Sequence, residues 1–93
     1  MVIGLLRVEV HVPRAQSLKD KRSVLKSLRD QLRSRFNVAV AEVEADERWQ
    51  RATLGIVTLS GDRTYVQGLL RRVREWLQAT GLAALIRVEE EYL

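Results

Sequence analysis

Residues 2–12 alternate apolar and variable positions, Pro13 stops the run, and from Ser17 the apolar spacing changes to every third or fourth residue. A period of two is a half-buried strand, and a period near 3.6 is an amphipathic helix. The first strand therefore carries Gly4, Leu6, Val8, Val10 and Val12 on one face and Ile3, Leu5, Arg7, Glu9 and His11 on the other. Proline cannot donate to a sheet ladder, so the strand closes at Pro13. The chain must then fold a helix back onto the strand's apolar face.

Ser17 is the expected N-cap of that helix, with Asp20 three residues on as an approximate capping box. Leu18, Leu25, Leu28 and Leu32 fill one arc over residues 18–35, flanked by Val24 and Phe36. Residues 37–45 read as a second strand whose inward face is ambiguous. Val38 and Val40 compete there with Val43, and a bulge would reconcile them. After the polar turn 46–50, a third strand at 51–60 puts Ala52, Leu54, Ile56 and Thr58 on one side. Thr53, Gly55, Val57 and Leu59 take the other. Asp62 caps a second helix over 63–80, with Val66, Leu69, Leu70, Val73, Trp76 and Leu77 at helical spacing and Gly81 as its stop. A last strand occupies 83–92.

The order β-α-β-β-α-β closes most simply as an α+β, ferredoxin-like sandwich. Two helices cover one face of a four-stranded antiparallel sheet. Right-handed crossovers make strands one and two parallel, with strand three between them. The 93 residues form one domain, 1–93, with a single modest core. No run approaches the roughly 18 apolar residues of a membrane span. The first residues lack a basic leader and a cleavage site, so no signal peptide is expected. The absence of cysteine excludes disulfides and thiolate chemistry and makes the cytoplasm the default location.

Charge is uneven. The net charge is +4, and residues 16–36 alone hold seven cations (Lys19, Lys21, Arg22, Lys26, Arg29, Arg33, Arg35) against Asp20 and Asp30. At 100° per residue, Lys19, Arg22, Lys26, Arg29 and Arg33 fall within roughly 80° of one another, beside the core arc. Such asymmetry points to a polyanionic partner. A solvated helix face accounts for the pattern equally well.

The topology places the start of helix one at the same end as the turn between strands two and three. Arg14, Ser17, Lys19, Lys21 and Arg22 should therefore lie near Arg48, Trp49 and Arg51. That end would suit an anion, unless Trp49 folds over the core and the arginines pair with Asp46 and Glu47. Ile3, Leu5, Val57, Leu59 and Leu85 should point from the uncovered sheet face. A contiguous apolar face of that kind calls for covering loops or a second subunit, and a homodimer is the expected solution.

The same element order occurs in RNA recognition motifs, which stack bases on aromatics of their central strands. Here both central strands lack aromatic residues, so RNA contacts would run through the helix-one ridge and the phosphate backbone. Catalytic material is sparse. His11 is a lone strand-end histidine, no metal-ligand spacing or cofactor motif occurs, and Leu59-Ser60-Gly61-Asp62-Arg63 lacks the spacing and lysine of a phosphate loop. The acidic run Glu42, Glu44, Asp46 and Glu47 reads as a solvated edge. The helix-one apolar arc is needed by the core, which argues against membrane binding.

The segment Ser17-Leu18-Lys19-Asp20-Lys21-Arg22-Ser23-Val24-Leu25, followed by residues 35–43, Trp49-Gln50-Arg51-Ala52 and Leu54-Gly55, resembles the YlxP-like family of short bacterial proteins. The resemblance covers nearly the whole chain, with Ala39 standing where serine is common in the family. It implies a ferredoxin-like fold and a gene neighbourhood of transcription and translation factors. RNA or the ribosome becomes a partner by association, and the family supplies no catalytic residues. The leading expectation is an RNA- or ribosome-associated protein contacting phosphates through Lys19, Arg22, Lys26, Arg29 and Arg33, helped by Arg14, Arg48 and Arg51. A homo-oligomeric interaction module using Ile3, Leu5, Val57 and Leu59 is the second expectation. The third is an anion site or enzyme at Ser17, Lys19, Lys21 and Trp49.

Overall fold

The computed structural model describes residues 1–93. The elements are β1 (Val2–His11), α1 (Leu18–Arg35), β2 (Ala39–Glu42), β3 (Arg51–Ser60), α2 (Arg63–Ala79) and β4 (Ala84–Tyr92). They form one antiparallel-paired sheet in the order β2-β3-β1-β4. This is the ferredoxin-like βαββαβ arrangement. α1 lies over the β2 side, and α2 lies over β1, β3 and β4.

Alternation along β1 decides the two faces. Leu6, Val8, Val10 and Val12 are buried beneath the helices, joined there by Leu54 and Ile56 of β3. α1 contributes Leu25, Leu28 and Leu32, and α2 contributes Val66, Leu70, Val73 and Leu77. Gly4 sits where α2 comes nearest, since a Cβ there would run into Val66 Cγ1 and would lie 2.8 Å from Leu70 Cδ1.

Both helices begin as their capping residues dictate. Ser17 Oγ accepts the Asp20 amide at 3.0 Å, and Asp20 Oδ2 accepts the Gln16 amide at 3.0 Å. Asp62 Oδ1 accepts the amides of Thr64 and Tyr65 at 2.9 and 3.4 Å. Gly81, past the end of α2, has φ of 74°, a left-handed backbone that glycine adopts without steric cost.

Two details differ from the sequence reading. β2 is shorter than 37–45 and pairs with β3 without a bulge. Val40 turns inward and is 4% exposed, whereas Val43 lies on the opposite face over Gly55. The missing Cβ of Gly55 makes room for Val43, so no bulge is needed to satisfy three valines of mixed parity. The bulge occurs instead between β1 and β4, at Glu9/Val10. It sets Leu85 opposite Val10 and against the core, so Leu85 does not point from the open face.

Candidate nucleic-acid interface

The loop between β2 and β3 is fastened to the start of α1. Lys21 is only 3% exposed. Its ammonium donates to the backbone carbonyls of Asp46, Arg48 (2.7 Å) and Arg51 (3.0 Å). An ammonium has three N–H groups, and all are used. The Gln50 side-chain amide adds bonds to the carbonyls of Pro13 (3.1 Å) and Ala15 (3.3 Å), and the Val12 amide donates to the Gln50 carbonyl at 2.8 Å. The expectation that Lys21 belongs to an anion site is therefore corrected. A lysine whose three protons point at carbonyls inside the fold has none left for a ligand. Ser17 is likewise committed as a cap. Of the trio Ser17, Lys21 and Trp49, Lys21 is buried, Ser17 is half-buried, and Trp49 keeps 55% of its surface exposed.

Around that loop the cations divide into two sets. Arg48 is paired with Asp46 through Nε at 3.0 Å and Nη2 at 2.7 Å. This contact and the Arg48 amide hold the Asp46 carboxyl down at about 2. Arg51 pairs with Glu9 at 2.7 Å and not with Glu47. Lys26 pairs with Asp30 one turn along α1 at 2.8 Å, an exposed contact that lowers the Asp30 carboxyl. Arg33 donates through Nη2 to the Val40 carbonyl at 2.8 Å. That bond covers part of the free edge of β2, a device that blunts edge-to-edge pairing.

Arg14, Lys19, Arg22 and Arg29 make no ion pair and no side-chain hydrogen bond within the chain. Arg14, Lys19 and Arg22 are exposed, and Arg29 is half-buried. Together with Lys26 and Arg33 they form a continuous strip from the β1–α1 connection down the flank of α1 toward β2. Arg35 lies on the other flank and stacks over the Trp76 ring of α2, 5.5 Å from its centroid.

The open sheet face is split. Ile3 pairs with Leu59 and Leu5 with Val57 in register. With Ala39, Ala41 and Val43 they make one apolar half, in which Leu59 and Val43 keep 58% and 50% of their surface exposed. The other half is a small cleft of about 180 Å³ lined by Arg7, Glu9, Glu44, Asp46, Arg48, Thr53, Arg87 and Glu89. Its charges neutralise one another: Arg7 contacts Glu44 and Glu89, and Arg87 contacts Glu89. The sequence reading missed this cleft. The only sign of it in the sequence is the polar parity of Arg7 and Glu9 on β1. Gln50 was also missed, because nothing in the dipeptide Trp49-Gln50 reveals that its amide reaches back to residues 13–15.

His11 pairs in register with Arg51 at the end of the sheet, beside Trp49. No group of three or more histidines and carboxylates is placed to hold a metal ion.

A family model described as a protein of unknown function (DUF503) matches residues 3–90. The chain belongs to that family. It is also 33% identical over 78 residues to uncharacterized protein YlxP of Bacillus subtilis (strain 168), covering 84% of this chain and 85% of that protein. In this chain Lys21 is a structural residue of the fold, while Arg14, Lys19, Arg22 and Trp49 are the side chains offered to solvent around it.

Proposed function

We propose that this protein binds the phosphate backbone of RNA, free or in a ribosomal particle, through the cationic strip of α1. The observation that carries the reading is the unpaired state of Arg14, Lys19, Arg22 and Arg29. Elsewhere Arg7, Arg48, Arg51, Arg74 and Arg87 are each matched to a carboxylate. Arg71 and Arg72 are also unpaired, but they stand on α2, outside the strip and with Glu75 a turn away, and Arg35 and Arg63 lie over the rings of Trp76 and Tyr92. Unmatched cations along one ridge repel one another, and a run of phosphates relieves that repulsion. The gene setting that the family resemblance implies supports RNA over another polyanion. Lys26 joins the contact by exchanging its exposed Asp30 partner for phosphate, and Arg33, whose Nη2 holds the Val40 carbonyl, has its other guanidinium N–H groups to offer. Arg48 and Arg51 contribute less, because each is already held by a carboxylate. A cytoplasmic setting accompanies this reading, and no helix is long and apolar enough to cross a membrane.

The test is binding of the purified protein to fluorescent RNA and to ribosomal particles at about 50 and 200 mM salt, the range over which phosphate contacts lose most affinity. Binding that survives the higher salt with preference for one RNA or particle supports the proposal. No binding at the lower salt reduces α1 to a solvated face.

The apolar half of the sheet supports a second reading, a homodimer formed across Ile3, Leu5, Val57 and Leu59. Its motive is the exposure of Leu59 and Val43 beside them. Sedimentation across a hundredfold concentration range tests it, with Leu59→Glu expected to shift a dimer to monomer. A concentration-independent monomer removes it.

A further inference from the structure

We propose that Trp49 stacks on an unpaired nucleobase, so that the ligand of the α1 strip is single-stranded RNA and not a duplex. This inference rests on the RNA-binding reading above and adds the form of the ligand.

Trp49 is held from both sides. The Arg48 carbonyl is anchored by Lys21, and Gln50 is anchored by its side chain and its carbonyl. The Arg51 carbonyl is fastened by Lys21 as well. The backbone at Trp49 is therefore fixed, yet the residue keeps 55% of its surface exposed. Burying an indole is among the larger apolar gains available to a small domain. Here the clamp presents the ring outward from a pinned loop. A ring carried on a pinned backbone loses less conformational freedom on binding than one on a mobile loop, which favours its use as a contact.

The surroundings of the ring select the ligand class. Trp49 borders an open depression of about 540 Å³ lined also by His11, Glu47, Arg48, Gln50 and Arg51. The indole is its one hydrophobic member. An aliphatic ligand would find a single apolar wall among polar groups. A flat heteroaromatic ring would find a π-face to stack on and donors and acceptors at its edge. Base–aromatic stacking tolerates any base, since every base has a π-face.

The position of the ring ties it to the cations. Gln50 holds this loop against residues 13–15, so Trp49 stands on the side of the fold where Arg14 opens the strip. From Lys19 to Arg33 the strip rises about 21 Å along the helix. One strand laid along α1 would put phosphates on the strip and one of its bases, free to swing out of the strand, over the indole. A duplex keeps its bases paired and stacked, and its bases are closed to a loop side chain. The central strands β1 and β3 hold no aromatic residue, so the stacking position moves from the sheet to its rim.

The experiment titrates wild type, Trp49→Ala, Trp49→Phe and the triple variant R22E/K26E/R29E with a ten-nucleotide single-stranded RNA and with its duplex. Tryptophan emission and anisotropy of labelled RNA are read together. Wild type should bind the single strand more tightly and lose tryptophan emission on binding. Trp49→Ala should lower single-strand affinity roughly 5- to 100-fold, abolish the quench and leave duplex affinity unchanged. Trp49→Phe should recover part of the affinity. The triple variant should weaken both ligands. Wild-type binding with no Trp49→Ala effect, or an equal loss on both ligands, overturns the stacking role and leaves the phosphate-binding reading standing. No binding of either RNA by wild type overturns both.

Discussion

Lys21 donates its ammonium to the backbone carbonyl of Arg48 at 2.7 Å, joining the first turn of α1 to a loop 27 residues further along the chain. The Asp46 and Arg51 carbonyls complete its coordination. Sequence logic would count this lysine among the cations of a binding surface. Its burial makes it an internal tie between the helix start and the loop that carries Trp49. Lys21→Met keeps the apolar stem and removes the donor, stranding three carbonyls. We expect a loss of about 1.5–3 kcal/mol in urea unfolding, the range for hydrogen bonds to a charged group. Lys21→Arg should not restore stability, because a planar fork cannot converge on three carbonyls from so closed a position. A change below about 0.5 kcal/mol, the size of an ordinary surface substitution, would sink the structural role.

Charge reversal at Arg22, Lys26 and Arg29 separates binding from folding. Arg22 and Lys26 are exposed and Arg29 is half-buried, and none belongs to the core. Unfolding should change only modestly, since the reversal also turns the exposed Lys26–Asp30 pair into a like-charge contact of small cost. RNA affinity should fall for every sequence tested, and the log–log salt slope should shrink by about 0.7–0.9 for each phosphate no longer neutralised. The check is anisotropy of labelled RNA over a series of salt concentrations. An unaltered slope would take the strip out of the interface.

Much of the fold was legible because period and punctuation agreed. Pro13, Ser17, Asp62 and Gly81 each ended or began an element for a stated backbone reason, and β1, α1 and β3 had one face each. β2 was less legible because Val38, Val40 and Val43 have mixed parity and the residue that resolves them, Gly55, lies on another strand. The site was legible as a place and less so as a set of roles. Helical spacing located the cations, but pairing depends on residues distant in the chain. Arg51 meets Glu9 across the β1–β3 ladder, and Lys21 meets carbonyls, which leave no sequence signature at all.

Gly4 controls how closely α2 approaches β1. A methyl group there would press on Val66 and Leu70, both within 3 Å of the added carbon. Gly4→Ala should cost about 1–3 kcal/mol by overpacking. Gly61→Ala is the control, since an added carbon there meets nothing within 4 Å. Thermal unfolding of the pair should show a lower midpoint for the Gly4 variant and little change for the other. Equal midpoints would mean that α2 can shift outward without cost.

Asp46 gives the loop an acid-sensitive element. Its side chain accepts from the Arg48 guanidinium and the Arg48 amide, which bring its carboxyl from the ordinary 3.8 down to about 2. A carboxylate favoured by the folded state adds stability above its unfolded value, and that stability disappears as pH falls through the folded one. Asp46→Asn retains the Oδ1 acceptor for the amide but loses the charge. Wild type should therefore exceed the Asn variant in stability at about pH 5. The gap should close as the pH falls from about 4 toward 2, within the interval set by the two values. Because the Arg48 side chain is 64% exposed, salt should narrow the gap as well. Urea unfolding of both proteins at about pH 5, 3.5 and 2.5 reads this directly. A gap independent of pH would show that the pair does not contribute through charge.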